Sequence, residues 1–439
     1  MHIRKEEYHQ IENKTSGCLG MNLKGLYLKI IKRCKELWSY KIFRFTVIVQ
    51  VFYFIFSLIL TLFFLREQND FLVYYKVGEV FITDINDLYT ADYLWPFRYF
   101  PISAIFFVPF YLLGFDLGYA IFNLLNLLLN VIICVFLYKI IFLVRAGDHE
   151  KDDKRIVTYI CLFLMGLPNL FNYILGQINL YITLLILVSL FLFLTREDLK
   201  WNLISSIILG FSIIIKPITI FMVPFLLVLN LRIKHSKFEF KALKSIVRII
   251  GVVAPLTLNI FLFLIYPALW DGFLTANLSG SDPIMKNHSF SLTKIILNFF
   301  NFYSISNNPF LVLLIVLLII GGLSFIIYVF RRISKNSLIF GYIFGILIML
   351  LVYYDSWTHH LLALTPLLII LIFYLPRNSK ITKNYIKPSF FFLNFFDLAF
   401  MGIWFIIQDF FPYNFVSAVF LLIILYGSSK FCLTEDSNY

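Results

Sequence analysis

The chain has 439 residues, 60% hydrophobic, 19% aromatic and 14% charged, with a mean hydropathy of +0.85 and a formal charge of +12. So apolar a composition excludes a soluble enzyme, and uninterrupted runs such as FRFTVIVQVFYFIFSLILTLFFL at 43–65 exclude the alternating strands of a membrane barrel. The positive charge does not call for nucleic acid, because the bases sit in loops between apolar runs, as cytoplasmic loops of membrane proteins do.

Residues 1–42 form a basic segment with Arg4, Lys5, Lys14, Lys24, Lys29, Lys32, Arg33, Lys35 and Lys41, which predicts a cytoplasmic N-terminus. It has no compact apolar run with a small-residue cleavage site, so a cleaved signal peptide is not expected. Within it, MNLKGLYLKIIKRCKELW reads either as an amphipathic helix on the anionic inner leaflet or as a solvated tail. From 43 to 429 we expect a single all-α polytopic membrane domain, closed by a cytoplasmic tail at 430–439. Its spans are predicted near 43–65, 117–144, 156–174, 179–195, 201–216, 218–231, 246–266, 309–330, 338–352, 360–376, 388–408 and 413–429, about twelve in all.

The apolar stretch 101–113 is too short to cross. The basic loops Arg232 to Lys244, Arg331 to Lys335 and Arg377 to Lys387 all become cytoplasmic only if it does not cross, so it is assigned to a juxtamembrane or re-entrant helix starting at Pro101. The loops 66–116 and 267–308, GQIN at 176–179, Lys216 and DSWTHH at 355–360 then all face the external side. Polar residues from five separate loops in one compartment predict one site there.

Asp70 begins the amphipathic segment DFLVYYKVGEVF, where it is either a general base at the mouth of a membrane cavity or, with Asn69, a helix N-cap; Glu79 on the same segment is an alternative base. Gln177 and Asn179 are suited to sugar hydroxyls, or simply make a Gly-terminated helix turn. Lys216, before Pro217, costs roughly 2.5 to 3.5 kcal/mol at membrane depth unless it faces water or an anion, or else snorkels to the headgroups. Asn287 and His288 in SGSDPIMKNHSFS are acceptor or donor contacts, and Asn277 and Asn287 match the N-x-S glycosylation pattern. His359 and His360, being adjacent, point to different helix faces; they read as anion or hydroxyl contacts, or as interfacial residues beside Trp357. No spaced ligand set such as HExxH occurs, so a divalent metal is not expected, and the five cysteines form no disulfide framework.

In this order these residues resemble the GT-C superfamily of polyprenol-phosphate-sugar-dependent glycosyltransferases, and within it glycosyltransferase family 87. The similar pieces are DFLVYY at 70–75, LY at 88–89 followed by FRYFPISAIFFVPF, LGQIN at 175–179, GFSIIIKPITIFMVPFLL at 210–227, NHS at 287–289 and SWTHHL at 356–361. Two departures stand out: Tyr99, Phe100, Pro101 where the family has Tyr-Pro-Pro, and Asp355 before SWTHH. The resemblance implies a GT-C-like bundle with an external catalytic loop after the first span, in the plasma membrane. It also implies inverting transfer of a hexose, mannose in the related enzymes, from a polyprenyl phosphate to a lipid or glycan hydroxyl. Asp70 would be the base; Lys216, Arg98, His359, His360, Gln177, Asn179 and Tyr99 would hold donor phosphate and sugar; Glu79, Asn287, His288, Asp355 and Trp357 would serve the acceptor or act secondarily. No cofactor is implied, membrane lipids and the lipid-linked donor are the expected partners, and the oligomeric state stays open. A transporter or flippase of lipid-linked sugars is the alternative, disfavoured because the single Lys-Pro break has no counterpart in the other half. A lipid-linked glycan ligase or polymerase is a third reading.

Overall fold

The structure is a computed structural model that describes residues 35–147, 152–232, 237–278, 289–333, 336–397, 399 and 416–434. The chain divides into two units, Met1–Ile48 and Val49–Tyr439. In the first, Trp38 meets Phe43 edge-on with ring centroids 6.3 Å apart, and Thr46 donates to the carbonyl of Ile42 at 2.8 Å.

The second unit is helical almost throughout. The first long helix is α1 (Lys41–Leu60), and a π turn and a 3-10 turn follow it to Gln68. It is followed by α2 (Asp70–Thr83), a 3-10 turn Ile85–Tyr89, and a 3-10 segment Pro101–Phe107 that leads into α3 (Val108–Leu112). Next come α4 (Phe115–Val144), α5 (Asp153–Met165), α6 (Leu167–Leu175), α7 (Asn179–Thr195) and α8 (Leu199–Ile215). A 3-10 segment Pro217–Leu226 and an antiparallel hairpin, β1 (Leu229–Arg232) paired with β2 (Lys237–Phe240), precede α9 (Ala242–Ile265). The rest is α10 (Ala268–Leu278), α11 (Leu292–Phe302), α12 (Pro309–Val329), α13 (Leu338–Val352), α14 (Leu361–Tyr374), α15 (Lys387–Phe391) and α16 (Val416–Leu433).

Among the described residues, six helices are long and apolar enough to cross a membrane, and they coincide with the spans predicted at 43–65, 117–144, 156–174, 246–266, 309–330 and 413–429. Of the other predicted spans, 179–195, 201–216, 218–231, 338–352 and 360–376 fall on shorter elements, and 388–408 lies within the described residues only at 388–397 and 399. The segment expected at 218–231 is corrected: its ten 3-10 residues reach only about 20 Å before the chain turns into β1, short of a bilayer core of about 30 Å. The 267–308 stretch is also not a plain loop, since it carries α10 and α11.

Burial follows amphipathicity. Every residue of α13 is buried, as is α14 up to Phe373, because helices apolar on all sides belong at the centre of a bundle. On α12, by contrast, Leu311, Leu314, Ile315, Leu318 and Ile319 recur at three- and four-residue spacing and are exposed, a stripe suited to lipid. Gly341 and Gly345 on α13 bring the 3-10 segment close: a Cβ at Gly345 would lie 2.8 Å from Met222 Cα, and one at Gly341 2.7 Å from Phe225 Cβ. This contact packs the segment after the Lys216–Pro217 break closely on α13. On α4, Asn123 and Asn130 share one face; Asn130 donates to Gln50 at 3.2 Å, Asn169 at 3.0 Å and the Tyr173 hydroxyl at 3.1 Å, tying helices together where apolar contact alone gives little preference over lipid.

A second, aromatic core lies under α2. Phe71, fully buried, is ringed by Phe115, Tyr119 and Phe122 with centroids 5.5, 5.4 and 5.3 Å away. The Phe of DFLVYY is therefore the peg that sets the start of α2.

Candidate active site

At the start of α2, Asn69 is the N-cap. Its backbone is extended and its Oδ1 accepts from the Phe71 N–H at 2.8 Å, while its Nδ2 donates to Thr61 at 3.1 Å and to the Ile174 carbonyl. Capping is thus done by the neighbour, and Asp70 sits in the first turn with its carboxylate free to face elsewhere. It faces Gln177, whose Nε2 donates to it.

Gln177 reaches that position through Gly176, which ends α6 in the left-handed conformation at φ 61° and ψ 44°. The N–H groups of Gly176 and Gln177 return to the Tyr173 and Asn172 carbonyls at 3.2 and 2.9 Å. A Cβ at Gly176 would lie 2.7 Å from Phe71 Cβ. Gly176→Val therefore combines a left-handed penalty of about 1–2 kcal/mol with a clash against a buried ring. We expect thermal unfolding of the detergent-solubilised protein several degrees lower, together with loss of activity.

Gln177 also joins Asp70 to the aromatic wall. Its Oε1 accepts from the Tyr74 hydroxyl at 2.9 Å, and Tyr74 shares a 2.8 Å hydrogen bond with Tyr99. Tyr74 is stacked on Phe107 at 4.6 Å, and the Tyr99 carbonyl is held by the Tyr89 hydroxyl at 2.6 Å. Burial pushes the Asp70 carboxyl up to about 6, against the downward pull of the Gln177 hydrogen bond and the Lys216 charge.

Lys216 is extended, at φ −150° and ψ 110°, as a residue before proline must be. It is only 5% exposed, so the snorkelling alternative does not describe it. Its Nζ donates to Asn179 Oδ1 at 2.8 Å and lies 5.9 Å from the Tyr99 ring, and Asn179 in turn donates to Asn172 at 3.4 Å. The cation is therefore buried against an amide and a ring, and its charge acts on Asp70, His359 and His360.

A second cation enters from the loop before Pro101. Arg98 donates from one terminal nitrogen to Asp355 at 2.5 Å and to the Tyr353 hydroxyl at 2.9 Å, while its Nε is buried with no hydrogen-bond partner among the described residues. The backbone around Asp355 is held by residues 289–293, at the entry to and first turn of α11: Ser289 donates to the Tyr354 carbonyl at 2.9 Å, the Phe290 N–H to that of Ser356 at 3.0 Å, and Thr293 to that of Val352 at 2.6 Å. Beyond it a 3-10 turn, Thr358–His360, presents the histidines. His360 Nδ1 accepts from the Trp357 N–H at 3.1 Å, which leaves Nε2 as the proton-bearing nitrogen of a neutral ring. The expectation that the two rings diverge is corrected: their centroids are 4.4 Å apart, because a tight turn replaces the helical spacing assumed for adjacent residues.

The fold thus gathers Asp70, Gln177, Tyr99, Asn179 and Lys216 through hydrogen bonds and ring contact, and Arg98 with Asp355. The charges of Lys216 and Arg98 both reach His360. Trp357 contributes its backbone N–H. Glu79 is not brought in: nine residues along α2 amount to about 14 Å and half a turn, which puts it on the opposite face. Asn287 and His288 lie outside the described residues. Sequence reasoning passed over Tyr74, Tyr353 and Asp397. Tyr74 was legible as the residue four after Asp70 on the same helix face, and Asp397 as a carboxyl inside an apolar run.

A family model described as Glycosyltransferase family 87 matches residues 97–353. The match contains Arg98, Tyr99, Gln177, Asn179, Lys216 and Tyr353, and leaves Asp70, Asp355 and the histidine pair outside its bounds. No curated protein matches the chain.

Proposed function

The chain belongs to glycosyltransferase family 87, and on that premise we propose that this membrane-embedded glycosyltransferase moves a hexose, mannose as the first choice, from a polyprenyl phosphate to a lipid or glycan hydroxyl with inversion. The observation that carries this reading is the joining of a partly desolvated carboxyl, Asp70, through one amide, Gln177, to a tyrosine pair that borders the buried cation Lys216.

In the proposed reaction the acceptor hydroxyl gives its proton to Asp70 while its oxygen bonds the anomeric carbon. The bond from that carbon to the phosphate oxygen breaks, and its electron pair leaves with the lipid phosphate, which goes from one negative charge to two. Lys216, Arg98 and the Nε2–H of His360 meet the developing charge, and Asn179 and Gln177 hold sugar hydroxyls. Asp70 and Asp355 formally balance Lys216 and Arg98, so a donor with one charge is accommodated better than a diphosphate with more. Phe-rich spans keep the polyprenyl chain in the bilayer. We read the termini as cytoplasmic and the site as facing the external side of the plasma membrane, a sidedness that the basic loops support.

The test is transfer by the purified protein from radiolabelled polyprenyl-phosphate sugars, with diphosphate-linked and nucleotide sugars as controls. Product of inverted configuration from the monophosphate donor alone is expected. Intact donor crossing vesicle membranes without any product would instead mean that the family's chemistry has been lost in favour of lipid transport.

A further inference from the structure

Asp397 lies inside an apolar run, FFFLNFFDLAF, and none of its side chain is exposed. A buried carboxyl in such a segment is costly unless it is hydrogen-bonded, and two hydroxyls serve it. Thr358 Oγ1 donates to its Oδ2 at 2.7 Å, and Ser417, in the first turn of α16, donates to its Oδ1. One turn earlier on the same helix face, Asn394 Oδ1 lies 3.1 Å from the Thr365 hydroxyl of α14, which it shares with the Leu361 carbonyl at 2.9 Å, and its own amide is anchored on the Phe390 carbonyl at 2.7 Å. Two polar ties, Thr358 to Asp397 and Thr365 to Asn394, therefore bind the start of α14 to the segment that follows α15. The first of them falls on the residue immediately before the histidine pair.

Among the described residues, the other hydrogen bonds of Thr358, His359 and His360 themselves stay within residues 357–361, while the preceding Ser356 is also held by the Phe290 N–H. The Trp357 N–H bond to His360 Nδ1 fixes the ring's tautomer from within the turn, and the neighbouring Ser356 is tied to backbone carbonyls. Threonine has a single hydroxyl proton, and here it is directed to Asp397. We propose that Asp397 is a positioning residue: through Thr358 it holds the turn that aims His359 and His360 at the donor's phosphate. Hydrogen-bond donors act on a leaving phosphate only when they are in place before it departs, and a misplacement of about 1 Å costs on the order of a hundredfold. Ser417 gives the last helix a share in this support, so the site is backed by elements that do not line it.

The inference rests on the transfer reaction proposed above, and the experiment separates the two. The full-length protein in detergent or nanodiscs is compared with its Asp397→Leu, Thr358→Val and Thr358→Ser forms and with the double variant Asp397→Leu/Thr358→Val. Two readouts are taken: donor KM and kcat, and the rate at which diethylpyrocarbonate modifies His359 and His360, followed by mass spectrometry. Asp397→Leu and Thr358→Val are each expected to lower donor kcat/KM by about tenfold or more and to speed modification of the histidines, which are 7% and 5% exposed in the native fold. Thr358→Ser, which keeps the hydroxyl, should behave as the parent does. The double variant should be no worse than the worse single, since both break one link. A lower kcat/KM with unchanged histidine protection would report loss of folded protein and overturn the positioning role. So would additive effects, or an Asp397→Leu form with unchanged kcat/KM and unchanged histidine protection. A parent protein that transfers no sugar at all would remove the proposed function, while the modification rates would still decide whether Asp397 holds the turn.

Discussion

Asp70→Asn is expected to lower turnover by about 10² to 10⁴-fold and to leave donor affinity nearly unchanged, the range for loss of a general base. Because Asn69 performs the capping, the substitution leaves the start of α2 intact, and an asparagine oxygen still accepts from Gln177. The loss would thus report on proton transfer alone. The pH profile gives an independent reading. Burial raises the Asp70 carboxyl to about 6, so below that value the group holds a proton and cannot take another. Wild-type kcat/KM should rise about tenfold per pH unit up to about 6 and then level off, and the variant should lose this inflection. Glu79→Gln is the control, expected to be nearly silent because α2 turns Glu79 to its opposite face. Product formation that survives Asp70→Asn but collapses in Glu79→Gln would transfer the role; survival in both would leave α2 without a base.

The second large effect is expected at Lys216. Lys216→Met keeps most of the apolar stem and removes the ammonium, so packing around Tyr99 is largely preserved while the departing phosphate loses its nearest buried cation. By analogy with the loss of one preorganised group that stabilises developing charge, kcat/KM for the donor should fall by about 10² to 10³-fold. Lys216→Arg should recover only part of this, since a planar fork does not occupy the space of a compact ammonium between Asn179 and the Tyr99 ring. Steady-state kinetics with varied donor decides the matter. Near-parental kcat/KM in the methionine form would mean that Arg98 and the histidines suffice, and the site would then be centred on the Arg98 side.

The two variants bear on different halves of the site, and their combination is informative. Asp70 and Lys216 interact through space, so removing the lysine should also shift the acid limb of the pH profile upward, as the carboxylate loses a stabilising positive charge.

Much of the architecture is legible in the amino-acid sequence itself. The all-α membrane class follows from the length of apolar runs, and the place of the site from the few polar residues in a chain with 14% charge. The Gly-terminated turn at GQIN and the extended backbone at Lys216 before Pro217 are also local effects, set by what a single residue's φ and ψ permit. Long apolar helices are legible for the same reason: in lipid each must satisfy its own backbone, so the information lies within the segment.

Tertiary structure alone decided which residue caps α2 and whether Lys216 is buried. Asn69 rather than Asp70 caps α2 because Thr61 and the Ile174 carbonyl hold its amide, and Lys216 is buried rather than snorkelling because Gly341 and Gly345 let the segment after it lie flush on α13. The Arg98–Asp355 pair joins residues 257 positions apart, and the Thr358–Asp397 tie puts a carboxyl from a mid-run position behind the histidines. Periodicity and composition describe a segment's preference for water, lipid or protein. They carry no term for the particular donor that meets a given acceptor, and that pairing is fixed only when helices distant in sequence pack together and exclude every other partner.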